Sequence, residues 1–111
     1  MTVRPEARRA SPTAVFAALA DETRWGILEL LGTQDLSASG LAERLPVSRQ
    51  AIAKHLSALE GAGLVERLRV GREVRYRALG STLSAVGRRL EDIGAQWDAR
   101  LDRIKHIAEN L

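Results

Sequence analysis

The hydrophobic period changes twice along this chain, and that constrains its architecture more tightly than composition does. From Pro12 to Gly61 apolar residues recur at helical intervals. Between Leu64 and Leu79 they alternate, and from Ser81 to Leu111 the helical interval returns. A helix presents one face every 3.6 residues and a strand every second residue, so one backbone cannot serve both patterns. In the second alternating run Val74, Tyr76 and Ala78 fall on one face and Arg75 and Arg77 on the other, with Gly71-Arg72 between the two runs. Two alternating runs around a glycine-containing turn read as a β-hairpin. The expected fold is mainly α with a small β-hairpin.

Capping residues divide the helical part. Residues 1–12 are expected to form a flexible N-terminal arm and 13–111 a single domain. Pro12 suits a helix start, where its missing N–H is not needed, and Val15, Phe16 and Leu19 supply an apolar face. Asp21 reads as the N-cap of a helix over about 22–31, buried through Ile27, Leu28, Leu30 and Leu31 and ended by Gly32. Ser37 opens a short helix with Leu41 and Leu45 inward and Pro46 as its stop. Ser48 caps a further helix to about Gly61, apolar at Ile52, Leu56 and Leu59.

The last segment carries the longest pattern. Leu83, Val86, Leu90, Ile93, Trp97, Leu101, Ile104, Ala108 and Leu111 recur at intervals of three and four, close to a heptad stripe. A helix over about 81–110 would be roughly 45 Å long at about 1.5 Å per residue, more than a domain of this size can cover. The stripe at Leu83, Val86, Leu90, Ile93, Trp97, Leu101 and Ile104, with Phe16 and Leu19 of the first helix, is the expected dimer interface. Gly87 and Gly94 would let a partner helix approach closely.

Composition removes several classes of function. The 111 residues contain no cysteine, which excludes disulfides, thiolate metal sites and thiol redox chemistry. There is no run of eighteen apolar residues and no apolar signal-peptide core near Met1, so neither a membrane partner nor export is expected and the chain is placed in the cytoplasm. No nucleophile–base pair, paired carboxylates or phosphate-binding glycine loop suggests catalysis, and no cofactor is expected. The net charge is only +3, but residues 64–79 hold Arg67, Arg69, Arg72, Arg75 and Arg77 against Glu66 and Glu73 alone, while residues 81–111 balance five bases with five acids. A local basic excess is the footprint expected of a polyanion-binding surface; a solvated arginine-rich hairpin would look the same.

Two helices joined by a tight turn at Leu45-Pro46-Val47 fit a helix-turn-helix. The second helix of such a pair enters the DNA major groove with its N-terminal residues against base edges. Here those are Ser48, Arg49, Gln50, Ala53 and Lys54. Arginine pairs bidentately with guanine and glutamine with adenine. Ala53 permits close approach, and Lys54 and Ser57 are within reach of phosphates. The hairpin arginines Arg67, Arg69, Arg72, Arg75 and Arg77 become a wing against the DNA backbone. Double-stranded DNA and a second copy of the chain are the expected partners.

The stretches Leu19-Ala20-Asp21-Glu22-Thr23-Arg24, Leu41-Ala42-Glu43-Arg44-Leu45, Val47-Ser48-Arg49-Gln50-Ala51-Ile52-Ala53-Lys54-His55-Leu56, Ala62-Gly63-Leu64-Val65 and Gly71-Arg72-Glu73-Val74-Arg75-Tyr76 resemble the ArsR family of winged helix-turn-helix regulators. The resemblance is close over about 13–79 and looser over the final helix. It implies a dimer formed by the first and last helices and repression at an operator. Metal-sensing members carry a cysteine motif, for which this chain has Ser37-Ala38-Ser39-Gly40, or carboxylate and histidine ligands on the last helix. Asp102, His106 and Glu109 stand at helical spacing there, but with so few histidines they read better as surface pairing than as a metal site. Two roles are open to His55, phosphate contact or packing beside Leu56. Trp25 and Trp97 suit core or interface better than a ligand pocket. A winged-helix module that binds protein, and a regulator released by an unidentified organic effector, are the competing readings.

Overall fold

The computed structural model describes residues 11–111. Residues 1–10, most of the expected arm, lie outside the described residues. Ser11 and Pro12 already belong to the first helix, as its cap and its first residue.

The elements run α1 (Pro12–Leu19), α2 (Glu22–Leu31), α3 (Ala38–Arg44), α4 (Arg49–Gly61), β1 (Val65–Val70), β2 (Glu73–Ala78) and α5 (Gly80–Glu109). The first four helices start for one local reason. A side-chain oxygen of Ser11, Asp21, Ser37 or Ser48 accepts the backbone N–H three residues on, at 3.2, 3.0, 3.0 and 3.1 Å, satisfying a donor that the helix cannot. α4 ends where Leu64 N–H reaches back to Leu59 C=O at 2.9 Å around Gly63, whose φ of +72° suits a residue without a side chain. Gly71, at φ +65°, makes the first corner of the two-residue turn between β1 and β2.

The strands are antiparallel, with Val65 opposite Ala78 and Val70 opposite Glu73. A third chain segment joins them. Leu36, between α2 and α3, bridges to Tyr76 through Tyr76 N–H to Leu36 C=O at 2.8 Å and Leu36 N–H to Tyr76 C=O at 3.3 Å. The hairpin is thereby stitched to the segment that leads into α3.

The core gathers Val15 of α1, Ile27 and Leu31 of α2, Leu41 of α3, Ile52, Leu56 and Leu59 of α4, and Leu64 and Val65 at the strand entry. Of α5, Val86 alone is buried, with Leu83 packed against the core beside it. Thr82 Oγ1 donates to Gly63 C=O at 2.8 Å and fastens the start of α5 to the α4–β1 corner. Beyond residue 87 every residue of the helix is exposed. The radius of gyration, 18.9 Å, exceeds the roughly 13 Å of a compact chain of about this length, as a projecting helix requires. Among the described residues no helix is long and apolar enough to cross a membrane.

This packing revises the expected dimer stripe. Val86 is committed to its own domain's core, and Leu83 and Leu19 pack against that core, because the first turns of α5 lie over the domain. The open part of the stripe is Leu90, Ile93, Trp97, Leu101 and Ile104, continued by Ile107 and Leu111, with Phe16 exposed on α1.

Candidate nucleic-acid interface

α4 is built to bury one side and present the other. Ile52, Leu56 and Leu59 are inaccessible, whereas Ser48, Arg49, Gln50, Ala53, Lys54 and Ser57 are all exposed. Arg49, Gln50, Ala53, Lys54 and Ser57 recur at helical spacing on one open side of α4, and Ser48, in extended conformation, caps its start. Leu45 in extended conformation ends α3, and Val47 N–H bonds Leu45 C=O at 2.8 Å, so the turn into α4 is tight. Ser48 spends its hydroxyl oxygen on the Ala51 N–H, while the other first-turn amides of α4 have no acceptor within the helix.

His55 takes the packing role of the two open to it. Its ring is half-buried, and Nδ1 accepts from Arg24 Nε at 3.1 Å. An arginine only donates, so Nδ1 is the acceptor in this bond. Arg24 also donates from Nη1 to Ala18 C=O at 3.2 Å, so one α2 side chain joins the end of α1 to the middle of α4. Asp21 lies 4.0 Å from the same Nδ1. Its carboxyl is held below the usual carboxylate range, chiefly by the Arg24 backbone N–H it accepts. Sequence reading missed Arg24 because its partner is 31 residues away.

The five wing arginines separate. By register, Arg67 and Arg69 share a face with Tyr76 and Val74, while Arg75 and Arg77 share the opposite face with Leu68 and Glu66; Arg72 sits in the turn. Arg67 Nε meets Glu60 of α4 at 3.0 Å, and Arg75 meets Glu73 at 3.2 Å. Arg77 forks onto Asp35, Nε to Oδ1 at 3.3 Å and Nη2 to Oδ2 at 2.9 Å. Hydrogen bonds from Arg67 and Arg77 to these carboxylates raise both guanidinium pKa values above their already high ordinary value. Among the described residues Arg69 and Arg72 make no ion pair.

On α5, Glu109 turns to Lys105 at 3.9 Å and His106 lies against Asn110 at 3.3 Å. That replaces the expected Asp102–His106 pairing. No group of three potential metal-ligating side chains comes together among the described residues. Trp97 lies under Arg100, whose guanidinium carbon is 5.7 Å from the ring centre. Trp25 is more than half exposed on α2, outside the buried core.

Comparison with known proteins places this geometry. A family model described as a helix-turn-helix domain matches residues 19–67, from the end of α1 into β1. The arsenical resistance operon repressor of Escherichia coli (strain K12) is 33% identical over 101 residues, covering 90% of this chain and 84% of that protein. A solved structure of an ArsR-like transcriptional regulator from Rhodococcus sp. RHA1 superposes with a TM-score of 0.82 at 66% identity, over 87% of this chain and 92% of that one. The homodimeric winged helix-turn-helix DNA-binding domain of Mb0332 from Mycobacterium bovis, described as a possible ArsR-family transcriptional regulator, gives a TM-score of 0.60 at 28% identity, covering 82% of each chain.

Proposed function

The chain belongs to the ArsR family of winged helix-turn-helix transcriptional regulators, and from that premise we propose that it acts as a homodimeric repressor whose paired α4 helices read an inverted-repeat operator in double-stranded DNA. The observation that carries the reading is the open face of α4, where Arg49 and Gln50 stand exposed in the first turn after the Ser48 cap. Arg49 reads guanine and Gln50 adenine, Ala53 allows the backbone close to the bases, and Lys54 and Ser57 hold phosphates. In the wing, Arg69 and Arg72 contact the backbone, with Arg72 positioned by the hairpin turn to enter the minor groove. Arg67 and Arg75 reach phosphates only by leaving Glu60 and Glu73.

Dimerisation is supported by the exposed stripe from Leu90 to Ile104 and by the homodimeric state of the Mb0332 domain. Large contiguous apolar patches are uncommon on monomeric surfaces. Beyond its own helix's nearby backbone, an added Cβ at Gly87 or Gly94 would meet nothing within 4 Å among the described residues, which leaves room for a partner helix there. A two-fold axis through the stripe sets half-sites about one helical turn apart, roughly 34–36 Å. The reading assigns no metal effector, on the ground that the chain holds no cysteine and only two histidines, one of them His55, bonded to Arg24.

The test is Arg49→Ala, assayed on the operator found by footprinting and on random DNA. The operator is expected to lose about 1–3 kcal/mol and its preference at one base position, with random DNA little changed. Equal losses on both would remove the base-reading role.

A further inference from the structure

We infer that the Asp35–Arg77 fork is a positioning clasp for the wing, so that Arg77, although basic and on the hairpin, serves DNA binding through the wing's placement and not by contact. The inference rests on the DNA-binding reading above. Arg77 gives two parallel bonds, 3.3 and 2.9 Å, to the two oxygens of one carboxylate. Such a fork fixes direction as well as distance, which a single charge contact does not. Its two ends are 42 residues apart, so it joins separate parts of the fold.

Its location gives it leverage. Leu36 pairs with Tyr76 in antiparallel sense, which sets Asp35 beside Arg77 at the next position of that short ladder. Ser37, two residues past Asp35, caps α3. The clasp therefore locks β2 to the segment that launches the helix-turn-helix, while Arg67–Glu60 ties β1 to the last turns of α4. Both strands are held near the domain and the turn carrying Arg72 is left to project. A phosphate contact by Arg77 would have to break two bonds to Asp35 and would bring that carboxylate toward a polyanion.

The two roles predict opposite signs for one substitution. If Arg77 is a clasp, Asp35→Ala weakens operator binding by about two- to fivefold, the range of an exposed ion pair, with the salt dependence unchanged. Arg77→Ala gives the same loss, and Asp35→Ala with Arg77→Ala loses no more than either alone, since the second change removes a partner already released. If Arg77 contacts phosphate, Asp35→Ala frees a cation and removes a repulsive anion, so binding tightens, and Arg77→Ala lowers the salt slope by about one; either result overturns the inference. Amide exchange at Tyr76, measured on the free protein, tests the clasp apart from DNA. Faster exchange in both single variants supports it and unchanged exchange overturns it. A wild-type chain that binds no operator would sink the DNA-binding reading and leave the exchange result standing on its own.

Discussion

Leu56 and Leu101 are the same side chain on two amphipathic helices, yet the first is 1% exposed and the second 55%. The contrast extends to the regions around them. Within residues 11–86, Ile52 and Leu59 of α4 share one buried cluster with Val15, Ile27, Leu41 and Leu64 from four other parts of the chain. From Leu90 onward α5 repeats equally regular apolar spacing, and nothing among the described residues covers it. Helical periodicity states which face wants to be buried; it does not state whose atoms will bury it. The first region is a closed core, and the second is an uncovered apolar stripe, the surface proposed above as half of a dimer interface.

The contrast is broken most severely by removing the stripe. Trp97→Ala combined with Leu90→Ala is expected to yield monomers in sedimentation and to abolish measurable operator binding. Large-to-small changes in a packed site cost about 2–5 kcal/mol each, and here the loss falls on association, so raising protein concentration should partly restore the dimer. A double variant that stays fully dimeric would move the interface elsewhere, with Phe16 on α1 the next candidate. One that becomes monomeric and still binds the operator as tightly would separate dimerisation from DNA reading.

In the closed region, Leu56→Ala is expected to cost about 2–5 kcal/mol of folding stability, read as a lower denaturant midpoint with an unchanged slope. Its loss should not be rescued by protein concentration as that of the stripe variant is. A concentration-dependent loss at Leu56 would mean that the domain core and the α5 interface unfold as one unit.

What the residue pattern makes legible follows the same division. Helix boundaries are readable because their determinants are local: Asp21, Ser37 and Ser48 stand at the caps, and the Gly71-Arg72 turn sits where the strands need it. The exposed face of α4 is readable because Ile52, Leu56 and Leu59 define its opposite. Contacts between distant segments are not readable. Leu36 pairs with Tyr76 as a single residue and has no strand periodicity of its own. Nothing near Asp35 marks it as the partner of Arg77, and the wing arginines look alike until register divides them between two faces. The α5 stripe reads as uniform from Leu83 to Ile104, because periodicity carries no mark where the domain's cover ends after Val86.

The smallest effect sharpens the comparison furthest, because it asks whether stability and DNA reading can be separated at one residue. Along the stripe they are not expected to separate, since the dimer is proposed to position both reading helices. At Ser48 they can. Its hydroxyl caps α4 by accepting from Ala51 N–H at 3.1 Å, and the residue is exposed at the start of the reading face. Ser48→Ala removes the cap and is expected to cost about 1 kcal/mol of stability. Ser48→Asp keeps an accepting oxygen for the same N–H and places a negative charge at the positive end of the helix dipole, so stability should match or slightly exceed that of the wild type. The same charge would face phosphates, so operator affinity should fall far more for Ser48→Asp than for Ser48→Ala. Thermal melts and operator titrations on the two variants would then rank them in opposite orders. If Ser48→Asp binds the operator as well as the wild type does, the N-terminus of α4 does not approach the DNA backbone, and the reading face must begin further along the helix.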